Sequence, residues 1–308
     1  MTDLAASAAA PTGRHLLVIF NPTAGGRRRR RLKAVLQALE RSGCRVTLRR
    51  TGARGDAEAF ARAAGATEPP VDLVVAAGGD GTINEVINGL AAPAAAAPPP
   101  LALLPIGTAN VLANEIGLPS APDAIAREIA AGRVQPMPLA RANGRCFAMM
   151  AGVGFDAHVV ADLDTRLKRR LGKGAYVVES VRQLFRFGFP RYRVTIDGAA
   201  FEAGSVIVAR GRFYGGRYVC APEARLGAAE LHVCLFERGG RLAVPLFGAA
   251  LVLGLLPRLP GYRVVRGRRV TIEGPPGDPV QGDGDIIARL PVTIGLDPQA
   301  LALVVPGV

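Results

Sequence analysis

Hydrophobic positions in the first 130 residues follow two alternating rhythms. Short apolar runs at 15–20 (HLLVIF), 71–77 (VDLVVAA) and 101–104 (LALL) predict buried strands, and 44–50 (CRVTLRR) alternates like a half-buried one. Between them the period becomes helical. Residues 27–41 place Leu32, Val35, Leu36 and Leu39 on one face, and Ser42-Gly43 stops the helix. A second helix runs from the Gly55-Asp56 turn through Ala64, and a third from a sharp turn at Gly78 to Thr82 through about Leu90. A fourth follows Gly107-Thr108 as far as about Ile116, and a fifth spans 122–131. The low-complexity stretch 91–100 (AAPAAAAPPP) predicts a connector without regular structure. Strand–helix alternation at this spacing implies right-handed crossovers and a parallel sheet covered on both faces. The turns that follow strands then gather at the carboxyl edge, where such sheets bind ligands.

After about residue 135 the rhythm changes. Strand candidates crowd together at 146–150, 191–196, 204–210, 217–221, 230–236, 263–266, 269–273 and 286–289, and helices are predicted only at 174–186 and 241–256. The expected fold class is α/β: an N-terminal doubly wound nucleotide-binding domain over 14–134, then a mostly β, sandwich-like domain over 135–292. The tail 293–308 is free to return to the first domain. The longest apolar stretch, 242–256 (LAVPLFGAALVLGLL), falls short of the roughly 20 residues that cross a bilayer. The first 13 residues read as a loose Ala-rich tail without the basic-then-apolar order of a signal peptide.

Composition narrows the partners. The 308 residues carry a net charge of +13, which favours anionic partners such as phosphates or a membrane surface. Lys33, Lys168 and Lys173 are the only lysines, so the charge is almost all arginine and reflects base composition as well as function. Aromatic residues make up 5% and no basic–aromatic stripe appears, which argues against nucleic acid. Cys44, Cys146, Cys220 and Cys234 form no CxxC pair, and His15, His158 and His232 are the only histidines. That pattern weakens zinc, iron–sulfur and disulfide readings and suits free thiols in a reducing cytosol.

The segment 74–90 (VVAAGGDGTINEVINGL) carries the most chemistry. A buried strand delivers Gly78, Gly79 and Gly81, whose bare backbone N–H groups can approach a phosphate. The following helix presents its positive N-terminal end to the same anion. Asp80 would repel a bare phosphate, so it suits Mg²⁺ held through water or a sugar hydroxyl. Segments 19–26 (IFNPTAGG) and 103–113 (LLPIGTANVLA) are also strand-to-helix turns, and adjacent parallel strands would bring all three to one edge. Walker A chemistry is excluded: the Gly-Lys at 172–173 lacks the following Ser/Thr and the upstream spacing.

GGDGT followed by NEV, with NPxxGG upstream and PxGTxN downstream, resembles the diacylglycerol-kinase-type catalytic domain of bacterial lipid kinases and sphingosine kinases. Further matches are Thr51 ahead of Gly55-Asp56-Ala57, GVGFDAHVV (152–160), APEARL (221–226) and QGDGDII (281–287), so the resemblance covers about 15–306. It implies an ATP-binding α/β domain packed on a β-rich lipid-binding domain, with the active site between them. It implies ATP contacts from Asn21, Pro22, Thr23, Ala24 and Gly25, from Thr51, and from Gly78, Gly79, Asp80, Gly81, Thr82, Ile83, Asn84 and Glu85. Gly107, Thr108 and Asn110 complete that set. The general base would be Asp283 or Asp285, with Asp80 and the ATP phosphates holding the catalytic Mg²⁺. Asp283→Ala is expected to abolish lipid phosphorylation without unfolding the protein.

This chain departs from the family pattern in several places. Val111 stands where the family has Asp after PxGTxN, Asn114 where an Arg follows, and Pro138 where an Asp enters the second domain. The DG of a structural Mg²⁺ loop is replaced around Gly227-Ala228-Ala229-Glu230, which predicts that this metal site is absent. The resemblance implies an ATP- and Mg²⁺-dependent kinase phosphorylating the hydroxyl of a long-chain lipid such as diacylglycerol or a sphingoid base. It would be cytosolic and peripheral to the anionic inner membrane face. The pattern specifies no oligomeric state. Two rivals stand: a soluble-nucleotide kinase like NAD kinase, against which PIGTANVLAN argues, and a non-catalytic nucleotide or lipid binder, suggested by the lost acids. The arginine run at 27–31 reads as a solvated helix face or a phosphate contact. The helix at 242–256 reads as buried core or as a membrane-docking element.

Overall fold

The computed structural model describes residues 13–22, 26–93, 97–164, 172 and 174–307; Thr23, Ala24 and Gly25 of the first expected nucleotide turn lie outside them. β1 (His15–Phe20), β3 (Leu73–Gly78) and β4 (Leu101–Pro105) are buried along their whole length, as the apolar runs require. With β2 (Arg45–Arg50) they form a parallel sheet in the order β2-β1-β3-β4. Successive strand residues point to opposite faces. Leu17, Ile19, Val74 and Leu103 therefore meet Ala57 and Ala61 of α2 (Asp56–Ala63) and Ile83, Val86 and Ile87 of α3 (Asp80–Leu90). Their neighbours Leu16, Val18, Val75 and Leu104 meet Leu32, Val35 and Leu39 of α1 (Gly26–Arg41) and Ile125 and Ile129 of α5 (Pro122–Ala131). α4 (Val111–Glu115) is a short helix whose Val111, Leu112 and Ala113 join the core on the α2–α3 side.

The remaining chain is a two-layer β structure. β5 (Val134–Ala142) and β6 (Arg145–Phe147) form a hairpin. β7 (Met150–Val153), β10 (Ser205–Ala209), β13 (Leu231–Phe236), β14 (Tyr262–Gly267), β16 (Pro279–Gly282) and β17 (Asp285–Arg289) make a six-stranded antiparallel sheet ordered β14-β13-β10-β7-β16-β17. Opposite it lie β8 (Tyr192–Ile196), β9 (Ala199–Ala203) and β15 (Arg269–Glu273), with β11 (Phe213–Tyr214) and β12 (Tyr218–Val219) as a small separate hairpin. Val153, Val206, Val208 and Val233 of one layer pack on Val194, Ile196, Val270 and Ile272 of the other, which makes this half sandwich-like. α6 (Phe155–Ala161), α7 (Gly174–Arg186) and α8 (Ala243–Val252) sit around it. No helix among the described residues is long and apolar enough to cross a membrane.

The tail does more than return to one half. β18 (Val292–Val304) is a single 13-residue strand. Its first residues pair with β15, its last pair parallel with β4, and β5 runs antiparallel along both segments, with a register shift between Leu296 and Ala300. The sheet is thereby continuous as β2-β1-β3-β4-β18-β15-β8-β9. Five elements escaped the pattern reading: β5, β9, α6, β11 and β16. β5 contains Pro136 and Pro138, which argue against a central strand, yet the two prolines pair with Ala302 and Ala300 of β18, just past its register shift. α6 is only seven residues long and is announced only by Gly154 (φ 100°), too short for a helical period to show.

Candidate active site

The ends of β1, β3 and β4 meet. Asn21 N donates to Ala77 O (3.1 Å) and Ile106 N to Gly78 O (3.1 Å), so the three turns leave the sheet side by side. Two of them touch through glycines. A Cβ on Gly107 would lie 2.4 Å from Gly79 Cα, so no side chain fits between these turns. Gly78 is equally constrained, because a Cβ there would lie 2.4 Å from Thr82 Cβ. Asn21 Nδ2 donates to Thr82 Oγ1 (3.2 Å), which ties the first turn to the start of α3. Asn110, at φ 50°, closes the third turn by accepting from Gly107 N (2.8 Å). Thr108 is exposed there and its hydroxyl accepts from Arg28 (3.0 Å).

Not every residue expected at the nucleotide lies open at this edge. Ile83 is buried in the core under the sheet and offers only backbone. Thr51 is buried, and its backbone N–H donates to Phe20 O (2.9 Å). Asn84 is also buried: its amide donates to Cys146 O (3.1 Å) and to Asp283 Oδ2 (2.9 Å), so it clamps α3 onto the second half. Asn88, one turn later, exchanges bonds with Cys146 and reinforces the clamp. Glu85 accepts from Ala57 N (3.2 Å) at the start of α2. Pro22, Gly81 and Asn110 stay partly accessible at the rim.

The three acids divide into two kinds. Asp80 accepts from Asn110 N (2.9 Å) and Val111 N (2.6 Å), which fixes α4 against the glycine turn. Burial pushes its carboxyl above the ordinary range, the two amides pull it back, and the charge of nearby Asp283 pushes it further up. Asp283 stands at φ 52°, a conformation Asp tolerates better than most residues. Its carboxylate accepts four bonds, from Ala148 N (2.6 Å), Met149 N (2.9 Å), Met150 N (3.2 Å) and Asn84 Nδ2 (2.9 Å). Burial raises this carboxyl too, against the pull of all four donors. Asp285 differs. Its side chain is 40% exposed, its only ion pair among the described residues is with Arg54 at 3.7 Å, and its Oδ2 lies 3.1 Å from where a Cβ on Gly81 would be. It lines a small pocket with Arg54, Asn84, Glu85, Arg145, Ile286 and Ile287. The turn that carries Asp283 and Asp285 thus closes over the glycine loop, one acid anchoring it and the other left accessible.

Two residues that the pattern did not single out support this turn. Gln281 Oε1 accepts from Gly284 N (3.0 Å) while its Nε2 donates to Asp156 Oδ2 (3.0 Å). Asp156 sits so close beneath β7 that a Cβ on Gly152 would lie 2.1 Å from its Oδ2. Burial, opposed by the Gln281 bond, raises the Asp156 carboxyl to about 6. The folded state then holds this proton more tightly than the unfolded chain, so stability falls as pH rises between about 4 and 6, by at most about 3 kcal/mol. Asp156→Asn is expected to melt at a higher temperature than the wild type at pH 7.5 and to converge with it near pH 4. Thermal scans across that range check it.

Where the family pattern is broken, other contacts stand. Val111 is core, and Asn114 accepts from Arg217 Nε (3.1 Å). Glu115, next to it, accepts from Arg212 N (3.0 Å) and Phe213 N (3.2 Å). Around residues 226–230 four carbonyls converge on one buried guanidinium: Arg210 donates to the oxygens of Ala228 (2.7 Å), Glu230 (2.9 Å), Pro138 (2.7 Å) and Leu226 (2.8 Å). Burial lowers its pKa to about 10, so it remains a cation at neutral pH. A structural Mg²⁺ does not fit on the same oxygens, because it would meet a like charge. Arg210→Met is expected to cost about 3 kcal/mol or more in urea unfolding, since it leaves buried carbonyls without donors. A chelator is expected to leave the wild-type melting temperature unchanged.

A catalytic Mg²⁺ is a different case. The described residues hold no cluster of three or more His, Cys, Asp or Glu suited to a metal. Mg²⁺ commonly binds through one or two carboxylates plus substrate phosphates and water. Asp80 fits that mode: each of its oxygens has a lone pair beyond the one its backbone donor uses.

A glycine-lined edge of the α/β sheet thus faces acids carried by a β sandwich, with the candidate site between the two halves. Residues 15–142 match the diacylglycerol kinase catalytic domain, and 149–305 match the YegS C-terminal NAD kinase beta sandwich-like domain. Diacylglycerol kinase of Bacillus subtilis (strain 168) is 33% identical over 233 residues, 72% of this chain and 73% of that protein. The Salmonella newport (strain SL254) protein named "Probable lipid kinase YegS" is 30% identical over 222 residues, 70% of this chain and 72% of its own. A crystal structure of a diacylglycerol kinase from Bacillus anthracis str. Sterne superimposes with a TM-score of 0.76 at 25% identity, covering 95% of this chain and 97% of its own. The chain belongs to the diacylglycerol kinase catalytic-domain family of lipid kinases.

Proposed function

We propose that this protein transfers the γ-phosphoryl group of ATP to the hydroxyl of a long-chain lipid of the diacylglycerol or sphingoid type. The observation that carries this reading is the accessible carboxylate of Asp285 above Gly81, beside an Asp283 whose oxygens are already occupied. The backbone amides at the start of α3 and in the Gly107 turn would hold the phosphates, aided by the positive end of α3. Mg²⁺, held by Asp80 and the phosphates, would neutralise their charge when bound. Asp285 accepts the proton of the lipid hydroxyl as that oxygen bonds to the γ-phosphorus. The bond from phosphorus to the β–γ bridging oxygen breaks, and ADP leaves with the electron pair. Asp283 holds the turn in place for this step.

The test is incubation with γ-labelled ATP and a total lipid extract, with purified diacylglycerol, sphingosine and NAD as separate acceptors. Label in an organic-soluble product supports the proposal. Label only in NAD, or ATP binding with no labelled acceptor, overturns it.

A further inference from the structure

α7 is amphipathic with its faces reversed. A surface helix normally turns its apolar stripe inward. Here Glu179 and Gln183 face the protein, each about 2% exposed, while Val177, Val181 and Phe185 point outward, Phe185 at 70%. The inward polar face is satisfied: Gln183 Nε2 donates to Asp162 (2.7 Å) and to Glu179 (3.2 Å), and Arg182 pairs with the same Glu179. The orientation is therefore held by bonds, and the outward valines and phenylalanine are left without cover.

α8 presents a second apolar face. Phe247 and Ala250 are buried, while Leu246, Val252, Leu253 and, just before the helix, Leu242 (89%) are exposed. The start of α8 lies beside the end of α7: the guanidinium of Arg241, two residues before α8, lies 5.8 Å from the centre of the Phe185 ring. An exposed apolar area assembled from two helices is uncommon on a monomer and marks a contact surface. Its edge carries exposed Arg186, Arg241 and Arg258, none of which has an acidic partner among the described residues. The ridge also reaches the active site: Tyr176, on the first turn of α7, has its hydroxyl 3.7 Å from where a Cβ on Gly284 would be, inside the turn that carries Asp285.

We infer that the outward faces of α7 and α8 form one insertion surface for an anionic phospholipid bilayer. Val177, Val181, Phe185, Leu246 and Leu253 enter the acyl boundary, and the arginine edge meets the headgroups. Unpaired cations around an apolar ridge suit a negatively charged interface and would be poorly matched against a second, equally basic copy of this chain. The inference rests on the lipid kinase reading only in its consequence, which is to bring Asp285 close to the surface where a membrane-borne acceptor presents its hydroxyl.

The experiment is sedimentation of the full chain with vesicles of phosphatidylglycerol and phosphatidylcholine, at low and high salt, without nucleotide. Phe185→Ser/Leu246→Ser is expected to weaken partition at least tenfold while keeping the wild-type melting temperature. Binding should fall with salt and be weaker on pure phosphatidylcholine. The protein has no tryptophan, so Phe185→Trp gives a single reporter, whose emission should shift to the blue on vesicles. Turnover of a water-soluble short-chain acceptor should be equal in wild type and double variant, and turnover of vesicle-borne acceptor should drop. Unchanged partition in the double variant, or a wild type that ignores vesicles, overturns the inference. So does a wild-type dimer that the double variant converts to monomer. If no acceptor is phosphorylated, the kinase reading fails, and the partition data still decide the docking surface.

Discussion

Asp285→Asn is expected to lower the turnover of lipid phosphorylation by about 10²–10⁴-fold, the usual contribution of a positioned general base. The KM for ATP should stay within about threefold, because the backbone of the glycine turns, proposed to hold the phosphates, is untouched. The fold should be unaffected. Asp285 is partly exposed, and its ion pair with Arg54 at 3.7 Å is also exposed on the Arg side. Such pairs contribute about 0–1 kcal/mol. Steady-state kinetics and a thermal melt of the same preparation check both halves. Turnover near that of the wild type would remove Asp285 from the reaction.

Asp283→Ala is expected to lose activity for a different reason. The substitution strips the acceptor from the backbone N–H groups of Ala148, Met149 and Met150 and from the Asn84 amide. Donors left unsatisfied in a partly buried place cost about 1–3 kcal/mol each, and alanine at φ 52° adds strain of about 1 kcal/mol. Allowing for water reaching some of them, a loss of about 3–5 kcal/mol in urea unfolding is expected. Read from its motif alone, Asp283 was a residue whose removal should spare the fold. The four bonds reverse that expectation. A variant with wild-type stability but no activity would restore it and would place Asp283 in the chemistry itself. Asp283→Asn separates the cases further: with one acceptor oxygen it keeps part of the anchoring and should be less destabilised than Asp283→Ala.

The nucleotide half was legible because its physics is local. Strands buried on both faces must be apolar along their length, so 15–20, 71–77 and 101–104 declared themselves. The turns after them were legible because Gly78, Gly79 and Gly107 mark places with no space for a side chain. The second half was less so. β5 was hidden by its own prolines, and α6 was too short to show a period. Nothing in 292–304 announced one strand that pairs with both halves, since a strand's sequence records what covers it and not which edge it joins.

The candidate site divides along the same line. GGDGT, PIGTAN and QGDGD marked the acids and the glycine turns that the fold brings to one edge, because each motif lies within a few residues of chain. The different surroundings of Asp283 and Asp285 were not in the motif, since the donors to Asp283 come from residues 84 and 148–150, far away in sequence. Arg210 likewise gave no signal, because its four acceptors are main-chain carbonyls that any sequence possesses. The reversed helix α7 shows the same limit. Its pattern established two faces, one apolar and one polar, but which of them looks inward depended on Asp162 and the neighbouring elements. Short-range pattern thus determined most of the elements, the glycine turns at the sheet edge and the acidic inventory. Tertiary structure alone decided which acid is anchored, which cation fills the carbonyl cluster and which helix face meets the outside, because each depends on partners that only long-range folding brings together.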